Sequence, residues 1–214
     1  MTKTDWAKFG RYADANRNLE RSPDVVFLGN SITDHWARHR PGFFTSRNMA
    51  GRGISGQTSS HMLVRFRADV MSLKPKAVVI LAGINDIALN NGSISLENIA
   101  GNIMSMCELA RSAGIEPLIC SVLPSKRIRW RPEVSPAGLI VRLNAMLRAY
   151  AADNGIDFVD YYSAMTDADG GLDGRYTTDG VHPLGAGYDV MEAIVLPHID
   201  KYLTVEPLNS SDRP

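Results

Sequence analysis

A serine hydroxyl becomes a nucleophile at neutral pH only when a base lies within hydrogen-bond reach, and a histidine held in one tautomer by a carboxylate supplies that base. This chain carries residues of those types in places that suit the task. Ser31 follows the apolar run Val25-Val26-Phe27-Leu28 and the pair Gly29-Asn30. Asp179 and His182 share the loop Thr177-Thr178-Asp179-Gly180-Val181-His182-Pro183. There the carboxylate can accept from Nδ1–H while Nε2 faces Ser31, and Pro183 helps to hold the loop in shape. His35, His39, His61 and His198 have no comparable carboxylate in a strand-end loop and read as surface or packing residues.

Attack on an ester carbonyl also needs N–H donors aimed at the developing oxyanion. The backbone N–H groups of Ser31 and Gly56 and the side-chain amide of Asn85 are the candidates. Gly56 closes Ala50-Gly51-Arg52-Gly53-Ile54-Ser55-Gly56, a glycine-rich stretch that is expected to be loop and to let backbone approach a ligand closely. Asn85 lies in Gly83-Ile84-Asn85-Asp86, directly after the apolar run Ala77 to Ala82. Each feature has a plain reading of its own: Asn30-Ser31 as a helix cap, Gly56 as a hinge, Asn85-Asp86 as a turn. Their arrival at successive strand ends points instead to acyl transfer.

The elements that must position these groups follow from periodicity. Val25 to Leu28 and Ala77 to Ala82 are apolar without alternation, as in strands of a parallel sheet covered on both faces. Phe43 to Met49 is expected as a short second strand, Glu116 to Leu123 as a fourth and Ile156 to Asp160 as a last. Helices are expected over Ile32 to Arg38, from Thr58 to before Lys74-Pro75, and over Ser95 to Ala113, Pro136 to Asn154 and Leu184 to about Leu203. On the helix after Thr58, His61 and Arg65 fall on the face expected to be solvated. Asp5 to Leu19 places Trp6, Phe9, Tyr12 and Ala13 at helical spacing, so a helix with an aromatic stripe against the core is expected there. Alternation of strand and helix gives an α/β fold whose strands all point their carboxyl ends to one rim, where Ser31, Gly56, Asn85 and the Asp179–His182 loop converge.

With 214 residues, the chain suits one domain, expected over residues 1–203, followed by a polar, frayed tail over 204–214. Lys plus Arg and Asp plus Glu are equal at 23 each, so no global field favours nucleic acid or an anionic membrane. The partner is expected to be a small molecule. Cys107 and Cys120 are expected to be buried thiols. His35 and His39 are the one histidine pair at His-x-x-x-His spacing, and neither metal nor cofactor is expected. Asp167 to Gly174 lacks the glutamate that closes a calcium loop and reads as a turn. Met1 to Trp6 has no apolar signal region, and no run approaches the ~18 apolar residues of a spanning helix. A soluble protein is expected, cytoplasmic as the sequence stands or exported if a leader has been removed. Pro124 to Pro136, with Lys126, Arg127, Arg129, Trp130 and Arg131, reads as a solvated loop able to shape a pocket.

Gly29-Asn30-Ser31, Gly53-Ile54-Ser55-Gly56, Gly83-Ile84-Asn85-Asp86 and Asp179-Gly180-Val181-His182 resemble the four ordered blocks of the SGNH, or GDSL-type, hydrolases, over about Val25 to Tyr188. The resemblance implies a three-layer α/β/α sandwich of flavodoxin-like type, with a central, mostly parallel five-stranded sheet. It also implies ester hydrolysis without metal or cofactor. Matched by block, Ser31 is the nucleophile, Gly56 and Asn85 are oxyanion donors with Ser31, His182 is the base and Asp179 its partner. Asn30 departs from the family's usual aspartate. For substrate, the reading favours acetyl or other short acyl esters, including O-acetyl groups of carbohydrates, with Asn30, Arg52 and Trp130 as candidate substrate contacts. A lysophospholipase or thioesterase acting on longer chains is the alternative, and a non-catalytic carbohydrate-binding protein on the same scaffold a remote one.

Overall fold

The structure, a computed structural model, describes residues 5–204. Five strands, β1 (Val25–Gly29), β2 (Met49–Gly53), β3 (Ala77–Leu81), β4 (Glu116–Cys120) and β5 (Asp157–Val159), pair in the order β2-β1-β3-β4-β5, and every pair is parallel. That is the flavodoxin-like doubly wound order, with its switch point between β1 and β3. Nine α-helices are described: α1 (Ala13–Arg17), α2 (Ser31–His39), α3 (Pro41–Thr45), α4 (Ser59–Asp69), α5 (Ile84–Ile87), α6 (Leu96–Ser112), α7 (Pro136–Asp153), α8 (Tyr161–Met165) and α9 (Gly185–Ile199).

The absence of alternation in the strand runs is explained by two cores. Val26, Leu28, Val78, Ile80 and Ile119 point to the face covered by α4, α6 and α7. Val25, Phe27, Val79, Leu118 and Cys120 point to the face covered by α2, α3, α8 and α9. Successive side chains leave a strand on opposite sides, so a strand buried on both faces must be apolar throughout. The three-layer α/β/α sandwich results. No helix among the described residues is long and apolar enough to cross a membrane.

Four expectations are corrected. Phe43 to Met49 is not a strand: Pro41 opens the short helix α3, and Phe43 and Phe44 pack edge-on against Phe27. The second strand is instead the glycine-rich Met49–Gly53, where glycine serves a close approach rather than a loop. A Cβ on Gly53 would lie 2.1 Å from the backbone nitrogen of Asp34, one on Gly51 2.5 Å from the Ala37 Cβ, and one on Gly29 2.1 Å from the Thr33 Oγ1. Helix α2 therefore rests directly on the ends of β1 and β2.

The N-terminal segment is not one helix with a buried stripe. Lys8 has a φ of 58°, and the Asp5 carboxylate accepts from the backbone N–H groups of Phe9 and Gly10, so the chain turns there and only Ala13–Arg17 is α-helical. Tyr12 is buried, its hydroxyl donating to the Gly53 carbonyl, whereas Trp6 and Phe9 are 62% and 43% exposed.

Arg65, expected on a solvated face, is fully buried. It donates to Gln57 Oε1 at 2.6 Å, Asp69 Oδ2 at 2.9 Å, the Gly29 carbonyl at 3.0 Å and the Arg52 carbonyl at 2.9 Å. Its guanidinium thus ties together the carboxyl ends of β1 and β2.

The remaining elements lie close to expectation. Helix α6 begins at the Ser95 cap, and Gly114 follows its end with a φ of 71°. Strand β4 stops at Cys120, short of Leu123, because the Asn144 side chain takes over the pairing: its Oδ1 accepts from Val122 N–H and its Nδ2 donates to the Val122 carbonyl. Asp167 closes a turn by accepting from the N–H groups of Asp169 and Gly171. Cys107 and Cys120 are buried free thiols, pushed up to about 12 by burial. Of the polar tail, Thr204 is bound to the Asp24 carboxylate, and residues 205–214 lie outside the described residues.

Gly53→Ala is expected to destabilise the protein by about 1–3 kcal/mol or more, because the added methyl meets backbone. Gly101→Ala on α6, where a Cβ meets open space, is expected to stabilise it by roughly 0.5–1 kcal/mol. Urea unfolding of both variants measures this, and an unshifted midpoint for Gly53→Ala would show that α2 can lift away from β2 at little cost.

Candidate active site

Strand β1 ends at Gly29, and the chain enters α2 without a connecting loop. Asn30 is the N-cap: its Oδ1 accepts from Ile32 N–H at 3.0 Å and its carbonyl from Asp34 N–H at 2.9 Å. The capping reading of Asn30-Ser31 is thus correct, and it leaves Ser31 as the first helical residue, where backbone N–H groups have no intrahelical acceptor and the helix dipole favours negative charge. Asn30 is buried, and its Nδ2 has no hydrogen-bond partner.

Ser31 Oγ lies 2.9 Å from His182 Nε2, and His182 Nδ1 lies 2.7 Å from Asp179 Oδ2. With Asp179 ionised, Nδ1 carries the proton and donates to the carboxylate, and Nε2 is left to accept from the serine hydroxyl. The loop builds this geometry from its own sequence. Asp179 Oδ1 accepts from the N–H groups of Val181 and His182, Thr177 Oγ1 accepts from Gly180 N–H, and Gly180 turns with a φ of 83°. Burial pushes the Asp179 carboxyl up, but the hydrogen bonds from the His182 backbone, the His182 ring and Val181 outweigh it and hold the group at about 2.

Helix α9 starts just beyond this loop and is fastened to α2 along its length. Tyr188 donates its hydroxyl to the Ile32 carbonyl at 2.8 Å, and Glu192 accepts from Trp36 Nε1 at 3.0 Å and Arg40 Nε at 2.6 Å. The helix that begins with Ser31 and the helix that follows His182 form one packed pair.

On the other side of Ser31, Ser55 donates to Asp34 Oδ2, and Gly56 has a φ of 83° with open space where a side chain would stand. Asn85, in the first turn of α5, is buried and donates through Nδ2 to the Gln57 carbonyl at 3.0 Å. Its second amide hydrogen is not used by that bond. Asp86 accepts from the backbone and hydroxyl of Ser59 at 2.6–3.0 Å, fixing the start of α4 against α5.

The three candidate substrate contacts are placed differently. Asn30 is absorbed in the cap. Arg52 is buried, donating to Asn16 Oδ1 and the Gly51 carbonyl beside the Tyr12 ring, so it joins the N-terminal segment to the sheet edge rather than reaching toward a ligand. Trp130 stands on the rim, its ring 6.1 Å from that of His182 at an interplanar angle of 30°. Its segment is less solvated than expected: Ile128 is fully buried, and Arg131 Nε donates to the Ala88 carbonyl.

His35 belongs to the site although its sequence surroundings suggested a surface or packing role. Its ring lies 5.2 Å from that of His182, and the signal that could have found it is its position one helical turn after Ser31 on the same face. Burial, then the proximity of His182 and Arg38, lowers its proton affinity. His35, His39, Thr178, Leu184 and Tyr188 line a hollow of about 430 Å³ against Asp179 and His182. Among the described residues, no group of three or more His, Cys, Asp or Glu is placed to hold a metal ion.

Asp86 makes the site sensitive to pH. Burial, against the hydrogen bonds from Ser59, raises its carboxyl from 3.8 to about 6. Between those values the folded chain holds a proton that the unfolded chain releases. The resulting stabilisation is complete below 3.8 and is lost as pH rises through about 6. Relative to Asp86→Asn, which cannot titrate, the parent is therefore expected to lose stability between about pH 4 and pH 7, as read from urea unfolding across that range. A gap that stays constant with pH would contradict the raised carboxyl.

Comparison with known proteins agrees with this architecture. A GDSL-like lipase from Bacteroides thetaiotaomicron is 46% identical, and the match covers 91% of this chain and 98% of that one with a TM-score of 0.88. A catalytic mutant of an acetylxylan esterase from Geobacillus stearothermophilus shares the fold, with a TM-score of 0.68 over 88% of this chain and 99% of that one, at 17% identity. The uncharacterized lipoprotein YqeF of Bacillus subtilis is 36% identical over 75 residues, a match spanning 34% of this chain and 31% of the lipoprotein. The sequence profile of the GDSL-like Lipase/Acylhydrolase family matches residues 27–190. The chain belongs to that family, and its chemistry is of the ester-hydrolase class.

Proposed function

We propose that this protein is a serine esterase that removes short acyl groups, acetyl above all, through an acyl-enzyme, and that O-acetyl groups of carbohydrates are among its substrates. The observation that carries the reading is the pair of hydrogen bonds, at 2.9 and 2.7 Å, that link Ser31 to His182 and His182 to Asp179.

In the proposed mechanism Ser31 Oγ attacks the ester carbonyl carbon while His182 Nε2 takes the hydroxyl proton. Asp179 remains ionised, orients the ring and stabilises the imidazolium. The Ser31 N–H, the Gly56 N–H and Asn85 Nδ2 donate to the oxyanion, and the carbon–oxygen bond to the alcohol breaks as His182 returns its proton to the leaving oxygen. Water then repeats the sequence on the acyl-enzyme with His182 again as base. It releases the carboxylic acid and restores Ser31. No step calls on a metal or a cofactor.

The acetyl preference rests on the site's surroundings. The polar segment from Lys126 to Arg131 brings the Trp130 ring to 6.1 Å from that of His182. The acetylxylan esterase fold likeness is compatible with it.

Hydrolysis of p-nitrophenyl acetate is expected from the parent. A fall of roughly 10³ or more in kcat is expected for Ser31→Ala, and one of ~10²–10³ for Asn85→Ala. Across p-nitrophenyl esters of increasing chain length, kcat/KM is expected to be highest at the short end. An optimum at eight or more carbons would assign a lysophospholipase or thioesterase, and turnover that persists in Ser31→Ala would remove Ser31 from the mechanism.

A further inference from the structure

Beside His182 stands an aromatic ring that the hydrolytic steps leave unused. Trp130 is 41% exposed. Its single polar atom is already satisfied, Nε1–H donating to Asn90 Oδ1 at 2.9 Å, so the part of the indole that faces outward is its apolar ring. Asn90 is held in turn: its Nδ2 donates to the Gly56 carbonyl at 3.5 Å and its backbone N–H to the Asn85 carbonyl at 3.0 Å. Arg131, next in sequence to Trp130, donates to the Ala88 carbonyl at 3.1 Å. The indole is thus moored to the loops that carry Gly56 and Asn85. A ring held in this way meets a ligand with little loss of conformational freedom.

Which half of an ester would meet it follows from the reaction proposed above. His182 must return its proton to the leaving oxygen, so the alcohol half departs beside the His182 ring, while the acyl carbonyl lies on the oxyanion donors. A ring 6.1 Å from His182 borders the alcohol half. The partner that suits an exposed apolar ring face is itself a ring, with C–H groups on its face and hydroxyls at its edge.

We propose that Trp130, tethered by Asn90, is the platform on which the pyranose ring of an O-acetylated carbohydrate stacks. The proposal rests on the serine-esterase reading and adds to it a binding site for the alcohol.

The test compares kcat/KM for three acetyl esters that differ in the alcohol: an O-acetylated methyl xylopyranoside, p-nitrophenyl acetate and ethyl acetate. For Trp130→Ala the ratio of pyranoside to ethyl acetate is expected to fall roughly tenfold, carried by KM, with a smaller fall for Trp130→Phe and an intermediate one for Asn90→Ala. An unchanged ratio, whether from no loss or from equal loss on all esters, would overturn the platform. A loss confined to the p-nitrophenyl ester would overturn it in favour of an aryl site. Thermal melts matched to the parent confirm that the variants fold.

A second readout is independent of turnover. Methyl xylopyranoside is expected to change the tryptophan fluorescence of Ser31→Ala protein, and the change is expected to vanish when Trp130→Ala is added. Fluorescence that depends on Trp130 in a parent with no turnover on any ester would sink the esterase reading and keep the platform. Turnover whose selectivity ignores Trp130 would do the reverse.

Discussion

Helix α2 lies directly on β1 and β2, with no strand side chain between them at Gly29, Gly51 and Gly53, and the groups of the proposed chemistry are placed relative to that contact. Gly29, Gly51 and Gly53 leave the space, since a Cβ at any of them would stand within 2.1–2.5 Å of an α2 atom. With the helix seated there, the Asn30 cap and Ser31 follow without an intervening loop, and the proposed nucleophile stands at the first position of a packed helix. Beneath it the Arg65 guanidinium holds the Gly29 and Arg52 carbonyls together. A buried cation is costly unless it is paired and its donors are used. Asp69 and Gln57 complete its partners.

The same seating explains what could be read from sequence and what could not. β1 and β3 were legible because burial on both faces forces a continuous apolar run, and the Asp179–His182 loop was legible because its hydrogen bonds are local. β2 was hidden because the glycines that admit α2 look like loop residues when the helix is unknown. Arg65 was misplaced because helical periodicity assigns a charged residue outward, whereas two of its acceptors are carbonyls contributed by β1 and β2. Trp6 and Phe9 misled in the opposite direction: their spacing is helical, but Asp5 captures the backbone N–H groups that would have begun the helix. Asn90 carries no local signal, since its side chain owes its place to Trp130 and Gly56 on other elements.

The Asn30 cap and the placing of Ser31 beside His182 are one arrangement. The cap satisfies Ile32 N–H through the Asn30 side chain, and in doing so it sets the helix start at the serine. Asn30 Oδ1 does what an aspartate oxygen would do at an N-cap, which accounts for asparagine serving where the family's usual block has aspartate. Its idle Nδ2 is the residual cost of that exchange.

Ser31 and His182 are separated by 151 positions in the chain, yet Ser31 opens α2 and His182 lies in the loop that leads into α9, and the two helices are fastened by Tyr188 and Glu192. Contacts of such long sequence separation can form only after the intervening chain has been brought into place. The proposed Ser31–His182 pair therefore depends on the packing of α9 against α2, which brings the start and the end of the chain together. Under the proposed mechanism, activity is a property of the completed topology, so activity recovered on refolding would register the closing of the whole chain rather than the folding of any one part.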